Sequence, residues 1–183
     1  MDPGPTGADL LRGPQLRLRP RTDADLDACG ALGERTHVDD GYPVRRPPSM
    51  AAFLEAPGAL GAWVAEVDGR VAGHVVLAET TFPEVVALAA EATGRPSGSL
   101  AVVARLLVDP AARRLGVGRA LLRTARDDAL ARARQPVLEV ALELTAGRHL
   151  YEAEGWRDVG RVTVFLAADD PIDEAVFIWP IAP

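Results

Sequence analysis

The chain has 183 residues, a formal charge of −6 at neutral pH and 48% hydrophobic residues, enough apolar material to bury the core of one domain. The acidic balance argues against nucleic acid or an anionic membrane as the main partner, while leaving room for a local basic patch. The single cysteine, Cys29, excludes an intramolecular disulfide and gives no metal cluster, so it is expected as helix packing and no metal is expected at all.

Residues 1–13 contain Pro3, Gly4, Pro5, Gly7 and Gly13 but no apolar stretch, and read as a flexible tail in place of a signal peptide. No later run is long enough to cross a bilayer, so residues 14–183 are expected to form a single cytoplasmic domain. Gln15 to Pro20 alternates polar and apolar residues as a first strand. Thr22 or Asp23 can cap a helix reaching about Arg35, weakened by Gly30 and Gly33. A polar, proline-rich connection follows from His37 to Pro48, and Ser49 caps a short helix that carries Met50, Phe53 and Leu54 and ends near Pro57-Gly58.

Ala62–Val67 and Arg70–Ala78 form a hairpin through Asp68-Gly69, with Gly73 marking a bulge. An insertion from Thr80 to Gly98 contains a helix over Pro83–Ala92. The fourth strand, Ser99 to Val108, is apolar apart from Arg105 and stops at Asp109-Pro110, where proline removes a ladder donor. A helix begins near Leu115, with Leu122, Ala125 and Ala129 on its apolar side. Pro136 precedes a fifth strand, Val137–Leu142, and a helix runs from about Ala146 to Glu154, closing at Gly155. Two last strands lie near Val159–Leu166 and Ala175–Pro180. Hairpins, then strand-helix-strand, then an antiparallel pair imply an α/β (α+β) fold: a mixed, mostly antiparallel sheet of about seven strands with helices on both faces.

The join between the fourth strand and its helix, Arg113-Arg114-Leu115-Gly116-Val117-Gly118-Arg119, carries the clearest chemistry. The first turn of a helix has unpaired N–H groups and a partial positive charge, so it stabilises an anion. Gly116 and Gly118 remove side chains that would hold a phosphate away from those amides, and Arg113, Arg114 and Arg119 add charge. A triphosphate P-loop needs Lys and then Ser or Thr after its second glycine, but Arg119 and Ala120 stand there. A dinucleotide turn needs a third glycine where Leu121 stands. Two readings of these residues remain: a pyrophosphate cradle of another kind, or a tight turn served by the glycines with the arginines solvated.

Arg113-x-x-Gly116-x-Gly118 resembles the acyl-CoA-binding motif of the GNAT superfamily, the GCN5-related N-acetyltransferases. The apolar strand ending in Val108-Asp109-Pro110, the opening Arg19 to Leu26 and the segment Leu150-Tyr151-Glu152-Ala153-Glu154-Gly155-Trp156 are also similar to that family, so the likeness covers about residues 15–166. It implies the GNAT fold, with fourth and fifth strands parallel but splayed, acetyl-CoA as acyl donor and direct transfer to an amine acceptor; it leaves a homodimer open. It also implies that the backbone of Leu106, Leu107 and Val108 bonds the pantetheine arm, that residues Arg113 to Arg119 hold the pyrophosphate, and that Tyr151 protonates the departing thiolate. A phenol suits that task because its ordinary pKa, about 10, lies above a thiol's, about 8.5. Many relatives carry an asparagine seven residues before this tyrosine; Leu144 stands there.

Glu139 occupies the position where some members carry a catalytic glutamate, and a carboxylate in a partly dry cleft could take a proton. A plain surface glutamate fits the alternation equally well, and His74, Glu79 and Glu143 are further candidates. The acceptor should meet the connection containing Asp39, Asp40 and Tyr42 together with the 80–98 insertion. The two aspartates could attract a cationic amine or cap a turn. Two other readings remain: a non-catalytic acyl-CoA-binding sensor, and an oxidoreductase or phosphotransferase with a nucleotide at the same turn.

Overall fold

The computed structural model describes residues 14–181, so the tail expected at 1–13 lies outside the described residues. The seven strands are β1 (Leu16–Pro20), β2 (Gly61–Val67), β3 (Arg70–Ala78), β4 (Leu100–Val108), β5 (Gln135–Ala141), β6 (Arg157–Ala167) and β7 (Asp170–Ile178). They form one sheet in the order β1-β2-β3-β4-β5-β7-β6, with β4 and β5 parallel and every other pair antiparallel. The helices are α1 (Leu26–Asp40), α2 (Met50–Glu55), α3 (Pro83–Thr93), α4 (Val117–Ala131) and α5 (Thr145–Ala153). A parallel pair cannot be joined by a tight turn, and α4 is the crossover from β4 to β5. The Asp68-Gly69 hairpin is formed as expected, both residues taking positive φ (50° and 77°).

On one face, α4 and α5 pack over Val75, Leu77, Ala101, Val103, Leu138 and Phe177. The amphipathic pattern of α4 decides this: Leu121, Leu122, Ala125 and Ala129 are wholly buried, and each leucine contributes about 1.5–3 kcal/mol. The other face is divided. Helices α1 and α2 enclose Cys29, Leu32, Met50, Leu54, Val64 and Leu107, whereas α3 covers Leu100, Val137, Ala141, Val176 and Ile178 with Val85 and Ala89. Cys29 is core packing as expected, and burial pushes its thiol up to about 11.

Four expectations are corrected. Helix α1 continues past Arg35 to Asp40, because no glycine or proline interrupts the chain before Gly41, whose φ of 79° ends it with its N–H donating to the His37 carbonyl at 3.0 Å. Its internal glycines are contacts: a Cβ on Gly33 would lie 2.4 Å from Met50 Cγ, so glycine lets α2 pack close. Helix α4 begins at Val117, not Leu115, because Gly116 takes φ 82° at the N-cap and leaves Leu115 exposed in the turn. Strand β5 starts at Gln135, with Pro136 inside it. Strand β7 starts at Asp170, five residues before Ala175, since Asp170, Asp173 and Glu174 lie within a strand that pairs along most of β6. The bulge expected near Gly73 is present opposite Ala65 and Glu66, and a Cβ on Gly73 would lie 2.6 Å from Val117 Cγ1, so glycine there seats the start of α4 on the sheet.

Candidate active site

Two breaks in the sheet make the site. Strands β4 and β5 pair only where Leu100–Val102 meet Gln135–Val137, then diverge, so the facing edge of β4 beyond Val102 is open. On its other edge β4 bulges: Val76 pairs with Ala104 but His74 with Leu107, and Arg105 takes φ 53°. Wholly buried His74 fixes this bulge. Its Nδ1 lies 3.1 Å from the Arg105 carbonyl and its Nε2 lies 3.4 Å from Arg21 Nη1. An arginine can only donate, so Nε2 accepts and Nδ1–H donates to the carbonyl, which requires a neutral ring. Burial lowers its pKa to about 4. That employment, and its absence from the cleft lining, removes His74 as a candidate base.

The splayed strands open into a cleft of about 1260 Å³ that runs from the glycine turn to Glu139 and Tyr151. At the turn, the first α4 hydrogen bond runs from Ala120 N–H to the Gly116 carbonyl, 2.9 Å, which leaves the amides of Val117, Gly118 and Arg119 without helical partners beside the cleft. A Cβ on Gly118 would meet Val108 Cγ2 at 3.2 Å and Leu150 Cδ2 at 3.3 Å, so this glycine packs the helix start against β4 and α5. Leu106 and Val108 line the cleft, but Leu107 points into the α1–α2 core and Leu115 lies outside the lining. The arginines divide. Arg113 pairs with Asp39 at 2.6 Å and Asp40 at 2.8 Å, Arg119 pairs with Glu154, and Arg114 has no ion pair among the described residues.

Asp39 and Asp40 therefore meet Arg113, which the sequence could not join to them. Asp40 also accepts from the Tyr42 N–H at 3.2 Å, capping the turn after α1. Tyr42 and Asp40 line the cleft.

Tyr151 is buried on α5, its ring centroid 5.8 Å from that of Phe177, and it lines the cleft. Burial first, and the charge of Glu139 second, raise its pKa above the ordinary phenol value. A Cβ on Gly147 would make ordinary van der Waals contact with the ring, 3.7 Å from Cε2 and 3.8 Å from the tyrosine oxygen. Glu139 comes from the opposite face of the opening. Its Oε1 accepts from the Thr81 hydroxyl at 2.6 Å, and its Oε2 is buried without a partner. Burial raises its pKa, the Thr81 hydrogen bond opposing. Glu139 is no surface glutamate.

Sequence reasoning missed Glu174. The β5–β7 register pairs Ala141 with Glu174 and Glu139 with Val176, so the two glutamates are diagonal neighbours on one face. Glu174 Oε2 is also buried without a partner, and burial followed by the Glu139 charge pushes its pKa up to about 8. The alternation Ile172-Glu174-Val176 is its only signal. Of the weaker candidates, Glu79 pairs with Arg134 at 3.1 Å, and Glu143 is exposed at the cleft. Leu144, where many relatives carry asparagine, is at the N-cap of α5 and lines the cleft. Among the described residues no three His, Cys, Asp or Glu side chains are grouped to hold a metal, and no helix is long and apolar enough to cross a membrane.

No curated protein matches the chain by sequence. Among solved structures, the ribosomal-protein-S18-alanine N-acetyltransferase from Escherichia coli is 21% identical and superposes with a TM-score of 0.65 over 92% of this chain and 96% of that one. An N-acetyltransferase from Staphylococcus aureus Mu50 is 20% identical, with a TM-score of 0.68 over 90% and 98%. NAA60 from Arabidopsis thaliana, in complex with acetyl-CoA, is 19% identical, with a TM-score of 0.66 over 90% and 98%. These establish the fold. The model of the acetyltransferase (GNAT) family matches residues 33–156, well over half of the sequence and the span from the middle of α1 to Trp156, and the chain belongs to that family.

Proposed function

We propose that this protein is an acetyl-CoA-dependent N-acetyltransferase that transfers the acetyl group directly to a primary amine of a small molecule or a peptide. One observation carries the reading: a single cleft joins unpaired helix amides, an open strand edge, a buried phenol and two half-buried carboxylates, each with one buried, unpartnered oxygen. Acetyl-CoA fits the chain's own groups. Its pyrophosphate suits the amides of Val117 to Arg119 and the uncommitted Arg114, and its pantetheine arm suits the open edge at Leu106 to Val108. Arg113 is exposed where it pairs with Asp39 and Asp40, and such pairs are worth only about 0.2–1 kcal/mol, so a doubly charged pyrophosphate can draw it away.

Acetyl-CoA, when bound, supplies an activated thioester. Glu139 Oε2, buried and free, accepts the proton of the incoming ammonium and so frees the nitrogen lone pair for the carbonyl carbon. As the C–N bond forms and the C–S bond breaks, the Tyr151 hydroxyl gives its proton to the sulfur, and the second proton that the nitrogen sheds as the amide forms restores the phenol. Its raised pKa keeps it protonated until that moment. Glu174 remains largely protonated at neutral pH, which spares Glu139 a second negative charge beside it.

A base must be ionised to work, so kcat/KM rises with pH through the raised pKa of Glu139. Glu139→Gln is expected to slow transfer about tenfold to a hundredfold and to flatten that rise, with Glu174 nearby as a partial substitute. Glu174→Gln should keep most of the turnover and remove an inflection near pH 8. The pH profiles of both variants and the parent, on one amine, check this. Superimposable profiles would exclude Glu139 as the base.

A further inference from the structure

One charge in the cleft lacks a counterpart. Arg105 projects to the side of the sheet covered by α1 and α2, its Cζ 4.8 Å from the centre of the Phe53 ring. Its Nη1 is buried without a hydrogen-bond partner, and no carboxylate pairs with it among the described residues. Arg21, beside the same bulge, differs: its guanidinium donates to the carbonyls of Leu54 and Glu55 at the end of α2. Stacking on a phenyl ring holds a guanidinium in place but satisfies none of its donors. A fixed, buried, unsatisfied donor on a permanent cation is prepared for an anion.

Its relation to the carboxylates limits the kind of anion. Tyr42, Phe53, Arg105, Glu139 and Glu174 line the same cleft. No ion pair joins Arg105 to Glu139 or Glu174 among the described residues, and Arg105 Nη1, Glu139 Oε2 and Glu174 Oε2 are each buried without a partner. The cation and the two carboxylates are therefore left without each other as partners. A ligand that reaches both needs a positive end and a negative end. A diamine would set its second cation against Arg105, and a neutral amine would leave Nη1 unpaired.

We propose that Arg105 anchors an anionic group of the acceptor, so that the acceptor is a zwitterion of the amino-acid class, its ammonium at Glu139 and its carboxylate at Arg105. The fate of the amine rests on the acetyl-transfer reading; the binding of the carboxylate does not. Arg105 is in this account a specificity-determining residue, since it holds the end of the acceptor that does not react.

The test is calorimetric titration of the CoA-saturated protein with the L-amino acids, γ-aminobutyrate, the matched carboxamides and putrescine, with thiol release from acetyl-CoA measured on the same panel. At least one carboxylate should bind about tenfold or more tightly than its carboxamide, a difference that Arg105→Gln erases and Arg105→Lys partly restores. Affinity of both variants for acetyl-CoA should stay within about twofold of the parent, because the cradle lies elsewhere. In kinetics the loss should fall on KM for the acceptor more than on kcat. Absence of binding by every carboxylate, carboxamides or putrescine binding as tightly, or an equal loss on acid and amide in Arg105→Gln would each overturn the anchor. Arg105-dependent carboxylate binding without thiol release would support the anchor and count against acetyl transfer.

Discussion

Gly116→Glu is expected to abolish measurable acetyl-CoA binding, a loss of at least about a thousandfold, worth about 4 kcal/mol. Gly116 takes φ 82°, where a side chain costs about 1–2 kcal/mol, yet a Cβ there would meet nothing within 4 Å. The substituted chain therefore has room to fold, and the new carboxylate occupies the space beside the helix amides that a pyrophosphate would use. Charge repulsion and steric exclusion would act together at the proposed anion site. Gly116→Ala separates the effects: it carries the backbone strain without the charge, and should lower stability by about 1–2 kcal/mol while weakening binding far less. Calorimetric titration and thermal melting of both variants check this. An acetyl-CoA affinity within tenfold of the parent in Gly116→Glu would move the pyrophosphate away from this turn.

Tyr151→Phe should leave acetyl-CoA binding intact and slow transfer by about one to three orders of magnitude. The substitution keeps the ring in its packing against Phe177 and removes only the hydroxyl at the cleft. The side chain is buried with a raised pKa, so the parent enters the reaction as a protonated phenol over the working pH range. Without it the departing thiolate must be protonated by water. The loss should appear in kcat, because the hydroxyl acts when the C–S bond breaks and contributes little to ground-state binding. Single-turnover thiol release with saturating acetyl-CoA measures it. Unchanged turnover would make Tyr151 a packing residue and leave the acid to be found elsewhere.

The glycine turn before α4, the proposed pyrophosphate cradle, was legible as a strand-to-helix join because its pattern is concentrated in seven consecutive residues, from Arg113 to Arg119. The β2–β3 hairpin was legible for the same reason at Asp68-Gly69. Glu139 and Tyr151 came through likeness to a family, and the fold then brought them to one opening from opposite faces of the sheet. What escaped depends on partners distant in the chain. The Arg105 bulge follows from the β3 register and from His74, 31 residues earlier. Glu174 is hidden because Asp170, Asp173 and Glu174 disguise the start of β7, and its face is defined only by pairing with β5. Arg113 and Asp40 lie 73 residues apart, so their pairing had no local signature.

The central claim is that this cleft binds acetyl-CoA and uses it, and titration of the purified protein with acetyl-CoA, NADH and ATP, with free thiol followed when amines are added, tests it most directly. The account predicts micromolar or tighter binding of acetyl-CoA, clear preference over NADH and ATP, and amine-dependent release of one thiol per acetylated product. No micromolar-range binding of acetyl-CoA, or tighter binding of a nucleotide, would contradict it at the cradle. Binding without thiol release across a broad amine panel would contradict it at the chemistry and make the protein an acyl-CoA sensor.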